Sequence, residues 1–208
     1  MEMPTLIERL NGRAHDPERA IDEGEGISSG GKPVIFVAAP PATLAQIVAA
    51  EEKLGFGFPE LLRQVYQNVG NGGFGPGYGL FGIPTCAEDE KGSVVDQYRK
   101  LCKHQTAPPW PTGLIPLCGW GCGIASYLDC SRLEAPVIRL DPNTEKDDVI
   151  EFAPQPMHFD RADAVEDACW LESFSLEQWL TDWVDGKRLL ELGYFESDDE
   201  ADDDADDE

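Results

Sequence analysis

Between Glu51 and Ile83 the chain reads EEKLGFGFPELLRQVYQNVGNGGFGPGYGLFGI, and the punctuation of this stretch constrains the fold more than any other. Pro59 suits a helix start, because its missing N–H is not needed there and its φ is already helical. Leu61, Leu62, Val65, Tyr66 and Val69 recur at helical spacing and form an apolar stripe. Gly70 and Asn71 supply a left-handed exit. Upstream, Thr43 and Gln46 match a capping box, Leu44, Ile47, Val48 and Leu54 share a face, and Gly55 ends that helix. Two short helices joined by a few residues predict a helix hairpin. Gly75, Gly77 and Gly79 then let the chain turn into Leu80-Phe81-Gly82-Ile83, which reads as a strand closed by Pro84. The glycine run is not a phosphate cradle. Such a cradle precedes a helix N-terminus and draws on positive charge, whereas this loop follows a helix and contains no Lys or Arg.

The remaining segments extend the pattern. Thr5–Asn11 predicts a short helix with Leu6, Ile7 and Leu10 on one side, inside a loosely ordered extension over residues 1–32 that ends in a glycine-rich linker, DEGEGISSGG. Pro33–Val37 is a compact β-branched run. Ser93 caps a third helix with Asp96 at N3, and Val94, Val95, Tyr98, Leu101 and Cys102 follow its period. From Leu114 the pattern is β: strands at Leu114–Cys118, Cys122–Asp129, Pro136–Leu140 and Asp148–Phe152, with Gly119-Trp120-Gly121 as the first turn. Ser173 or Ser175 caps a closing helix carrying Leu176, Trp179, Leu180, Trp183 and Val184, and Gly186 ends it. Leu189 and Leu190, with Leu192, Tyr194 and Phe195, add a docking turn. Helices grouped before and after a run of strands predict an α+β fold: an N-terminal helix hairpin packed on a mainly antiparallel sheet, with a closing C-terminal helix.

Charge limits the partners. Forty Asp and Glu stand against sixteen Lys and Arg, a net −24. Residues 196–208, ESDDEADDDADDE, hold ten of those acids and no base, so residues 1–195 still carry thirty acids against sixteen bases, a net −14. Such a body repels nucleic acid and anionic membrane and attracts basic surfaces. The acidic tail itself is expected to be disordered, since like charges repel and bury nothing. No apolar run approaches the ~20 residues that span a bilayer. The N-terminal residues lack a basic region followed by an apolar one, which predicts a cytoplasmic protein with its six cysteines reduced.

The helix ending in Leu54-Gly55, the Phe58-Pro59 start, the Asn71-Gly72-Gly73 exit and the Gly77-Tyr78-Gly79-Leu80 loop together resemble the Smi1/Knr4 family of the SUKH superfamily. WPTGLIPLCGWGCGIASYLDC at residues 110–130 and SFSLEQWLTDWVDG at 173–186 also resemble its members, in the same order, so the resemblance covers roughly residues 33–186. It implies a domain over residues 33–195 without established catalytic residues. It also implies a protein-binding role, in bacteria that of an immunity protein neutralising a nuclease- or deaminase-type toxin. The alternative it implies is a regulator or scaffold like the fungal members associated with cell-wall synthesis.

The residues themselves suggest little chemistry. Cys118, Cys122 and Cys130 lack the repeated CxxC spacing of a structural zinc site, and free cysteines commonly serve as small apolar fillers. His15, His104 and His158 have no local Cys context. No catalytic residue, cofactor or metal is therefore expected. Candidate protein-binding residues are Tyr78 in the glycine loop, the acidic run Glu88-Asp89-Glu90 facing a basic toxin surface, and Trp110 and Trp120 as aromatic anchors in connectors.

Overall fold

The computed structural model describes residues 3–22, 28–29, 32–33, 37–86, 90–103, 109–143 and 168–190. Helix α1 (Leu6–Ala14) opens the chain. Two two-residue strands follow, β1 (Ser28–Ser29) and β2 (Lys32–Pro33). Next come α2 (Leu44–Leu54), α3 (Glu60–Asn68) and α4 (Val94–Lys103). Strands β3 (Leu114–Gly121), β4 (Ile124–Asp129), β5 (Val137–Asp141) and β6 (Ala168–Ser173) form one antiparallel sheet in sequence order, and α5 (Leu176–Val184) closes the domain. The fold is α+β, with the helices placed before and after the sheet.

The helix ends follow the expected chemistry. The Thr43 and Gln46 side chains form a reciprocal capping box on α2, and Gly55 ends it at φ 86°. On α4, Ser93 Oγ accepts from Asp96 N at 3.3 Å while Asp96 Oδ2 accepts from Gly92 N at 2.8 Å. Ser175, not Ser173, caps α5. Two faces differ from expectation. Leu44 and Val48 point outward from α2, whose buried side is Ile47, Ala50, Glu51 and Leu54, and Cys102 is exposed on α4. The buried Glu51 accepts from Phe58 N at 2.7 Å and takes both nitrogens of a bidentate Arg63 at 2.8 Å, which locks the turn between α2 and α3.

Residues 6–22 are not a loose extension. α1 runs to Ala14, places Leu10 and Ala14 in the core, and packs on α3 and α5. Ala20 O accepts from Gly75 N at 2.7 Å, and Ile21 bridges Gly75 in parallel. The glycine loop thus gathers three segments. Ala39 exchanges hydrogen bonds with Gly72 and Asn71, Ala20 meets Gly75, and Tyr78 N and Phe81 N reach Gly119 O and Leu117 O on β3. The last two contacts cover the outer edge of β3, which would otherwise present free donors and acceptors.

Residues 80–83 run alongside β3 but do not form the expected strand. Their backbone groups are satisfied from the loop instead: Leu80 bonds Phe74 and Gly73, and the Asn71 amide clasps Ile83 through N–H and C=O at 2.8 and 2.9 Å. The left-handed residues here are Gly72 and Gly73, not Gly70 and Asn71. A Cβ at Gly72 would lie 2.5 Å from Leu80 O and 2.6 Å from Gly82 N, at φ 80°. Gly72→Ala is therefore expected to cost at least about 2 kcal/mol, read as a lowered thermal midpoint.

Gly119-Trp120-Gly121 continues β3 through two register shifts and is not the turn. The turn is Cys122-Gly123, with φ 51° and 85°, the two positive values that suit a tight hairpin. The fourth strand of the sheet is Ala168–Ser173, unexpected from sequence. The expected strand at Asp148–Phe152 lies outside the described residues, as do Leu192, Tyr194, Phe195 and the acidic tail.

Candidate protein-binding surface

The sequence candidates do not converge on one site. Trp110 and Trp120 are buried, at 8% and 5% exposure, and cannot anchor a partner. Trp110 stacks obliquely on Tyr127 with ring centroids 5.1 Å apart and donates to Leu114 O at 2.7 Å. Trp120 donates to Ser126 Oγ at 2.8 Å. Both look like connector residues in sequence, yet both belong to the sheet's packing. Glu88 and Asp89 lie outside the described residues. Glu90 is already answered internally by Lys53, at 2.7 Å, and by Arg99. The hydrogen bond from Lys53, with Arg99 assisting, holds its carboxyl below the usual range. Tyr78 is 42% exposed and lies against Gly121 near the tip of the β3–β4 hairpin.

Beneath the sheet lies a polar network with no surface role. Arg139 and Glu172 form an ion pair, both nearly inaccessible, with Arg139 4.5 Å over the Trp120 ring. Glu172 also accepts from Ser126 Oγ at 2.6 Å and Trp179 Nε1 at 2.8 Å, and Arg139 reaches the carbonyls of Leu189 and Leu190. Burial, with Glu172 nearby, pushes the Cys118 thiol far up, and burial beside Asp129 and Glu51 does the same to Cys130. Neither thiol is poised as a nucleophile. Cys118 is a core filler as expected, whereas Cys86, Cys102 and Cys122 are exposed. Among the described residues no group of three His, Cys, Asp or Glu is placed to hold a metal ion.

At the end of the sheet opposite Tyr78, two large apolar side chains stand in solvent. Leu133, in the turn between β4 and β5, is 94% exposed, and Phe174, between β6 and α5, is 73% exposed. Their backbones are tied together: Val137 pairs with Ser173, and Leu176 N donates to Ala135 O at 2.9 Å. Ala135 itself holds φ 48°, a strained value for a residue with a Cβ. Exposed neighbours in the chain are Arg132, Glu134 and Glu177, while Asp129 is buried and held by Arg132 at 3.1 Å and by Ser131. Single exposed hydrophobes are ordinary, but two on neighbouring loops, beside the exposed Glu134 and Glu177, have the composition of a binding epitope. Sequence reasoning missed it, because both residues sit in segments whose other apolar members are buried.

A family model described as the SMI1 / KNR4 family (SUKH-1) matches residues 41–159, more than half of the chain. The chain belongs to this family. No curated protein and no solved structure matches it. The SMI1/KNR4 match spans α2 to β5 and includes the glycine loop, Tyr78 and Leu133. Helix α1, strand β6, α5 and the exposed Phe174 lie outside it, although α1, β6 and α5 pack on its core. Among the described residues no helix is long and apolar enough to cross a membrane.

Proposed function

We propose that this chain is a non-catalytic binding module of the immunity type, which neutralises a basic toxin domain of nuclease or deaminase class by covering it. The observation that carries this reading is the Leu133–Phe174 pair, exposed at one end of an acidic SMI1/KNR4 domain. The two side chains supply the desolvated centre of the contact, and the surrounding carboxylates complement a basic rim and speed encounter at low salt. Residues 33–195 are the proposed binding domain, with α1 as an added support.

Co-expression with the toxin encoded beside it tests the reading. The native chain is expected to protect cells and to form a stoichiometric complex. The exposed substitution Phe174→Asp should change folding stability by no more than about 0.5 kcal/mol. It should weaken the complex on the order of tenfold or more. Killing that is equal with and without the chain sinks the immunity reading and leaves the regulatory alternative. Protection with an unchanged Phe174→Asp affinity sinks only the choice of surface.

A further inference from the structure

The chain holds two Asn-Gly dipeptides, Asn11-Gly12 on α1 and Asn71-Gly72 in the glycine loop. An asparagine before glycine reacts with its own backbone when both are free to move. The following amide nitrogen attacks the Asn Cγ, and a glycine carries no side chain to hinder it. At Asn71 the structure opposes this in three ways. The side-chain amide donates to Ile83 O at 2.9 Å and accepts from Ile83 N at 2.8 Å, so Cγ is held against the backbone of residue 83. Ala39 pins the main chain on both sides: Asn71 N donates to Ala39 O at 3.1 Å, and Gly72 O accepts from Ala39 N at 2.9 Å. That pair resists the backbone rotation that brings Gly72 N onto Cγ. The space is also full, since Gly72 is buried and a Cβ there would lie 2.5 Å from Leu80 O and 2.6 Å from Gly82 N. Asn11, in contrast, is exposed and is restrained by the helical backbone of α1.

We propose that Asn71-Gly72 is a self-modification site, kept silent by the native fold and activated by local opening of the glycine loop. Water is the only co-reactant. Gly72 N gives its proton to hydroxide and bonds to Asn71 Cγ. The bond from Cγ to Nδ2 breaks, and the leaving nitrogen takes a proton from water and departs as ammonia. Water then cleaves either C–N bond of the resulting imide ring, which leaves an aspartate or an isoaspartate at position 71. Neither product restores the clasp. An aspartate carboxylate has no N–H for Ile83 O, so two oxygens face each other. An isoaspartate adds one carbon to the main chain between the two groups that Ala39 holds, so both of those bonds cannot form together. Residues 80–83 then lose their anchor, and with it the bond from Phe81 N to Leu117 O that covers the outer edge of β3. A reversible opening of the loop becomes permanent, and the sheet gains a free edge. This chemistry is independent of any toxin.

The full chain is incubated in mildly alkaline buffer in three states: native, in urea below its unfolding midpoint, and unfolded in urea. Peptide mapping by mass spectrometry follows conversion at position 71. In the unfolded chain Asn71 should convert as fast as in a synthetic peptide NVGNGGFG. In the native chain it should convert at least about a hundredfold more slowly, because reaction waits for the loop to open. Urea below the midpoint should speed it before the sheet unfolds. Gly82→Ala should speed it about tenfold or more, since the added Cβ would lie 2.3 Å from Asn71 O and forces the clasp apart. If that variant does not fold, the urea series on the native chain gives the same reading. Asn71→Asp, which reproduces one product, should raise hydrogen exchange at the Phe81 amide about tenfold or more while β4 keeps its protection. Equal conversion in the native and unfolded chains overturns the proposal. So does conversion that rises only with global unfolding, or an Asn71→Asp chain whose Phe81 amide stays as protected as in the native one.

Discussion

Glu172→Ala is expected to lower stability by about 3–5 kcal/mol, because it leaves Arg139 buried without its counter-charge. Arg139 is 1% exposed, so water cannot replace the carboxylate. The carbonyls of Leu189 and Leu190 and the Trp120 ring remain, but they are dipoles and a quadrupole, not an anion. The same substitution strips acceptors from Trp179 Nε1 and Ser126 Oγ. Arg139→Met leaves the opposite charge buried and should cost a similar amount. The double replacement Arg139→Met with Glu172→Leu should recover most of the loss, since an apolar pair needs no desolvation. Urea midpoints at constant slope measure all three. Small, additive single effects would show that the pair is solvated and does not hold the last turn against the sheet.

This network also marks a limit of sequence reading. The closing helix was legible, because Leu176, Trp179, Leu180 and Trp183 repeat at helical spacing after a serine cap and all four are buried. The glycine loop was legible as a joint for a related reason: Gly75, Gly77 and Gly79 do adopt positive φ. Arg139 was not legible. It sits inside the strand VIRLD, and its partner lies on β6, paired with β5 across residues 142–167; the Asp141-Pro142-Asn143 turn that follows β5 does not say which later segment returns beside it. Period and punctuation report local geometry, whereas a buried ion pair is a fact about two distant strands.

The candidate surface shows the same limit from the other side. Trp110 and Trp120 have the composition of interface anchors, and Leu133 and Phe174 that of ordinary core, yet burial is reversed between them. Trp120 is enclosed because β3 continues through a bulge where two flanking glycines suggested a turn. Phe174 is exposed because β6 ends at Ser173 and α5 starts at Leu176, so the residue between them projects from the corner. Side-chain chemistry could not separate these cases; the register of the sheet decided them.

Trp183→Ala is the second large effect, also expected at about 3–5 kcal/mol. The ring is fully buried and joins elements from both ends of the chain: Phe74 packs against it at 6.2 Å, Arg13 lies over it, and its Nε1 donates to Asp22 at 3.0 Å. Arg13 also donates to Trp183 O, so one residue of α5 meets both the side chain of Arg13 and the segment after α1. Removing the ring opens a cavity and takes away a contact that ties α1 to α5. Trp183→Phe keeps most of the apolar contact and loses one hydrogen bond, so it should cost nearer about 1–2 kcal/mol. Hydrogen exchange separates global from local loss. If α1 is held chiefly by this ring, the amides around Leu10 should lose protection in Trp183→Ala by more than those of β4. Equal losses in both would mean that α1 and the sheet unfold as one unit. A Trp183→Ala protein within about 1 kcal/mol of the native chain would show that the docking of α1 adds little to the fold.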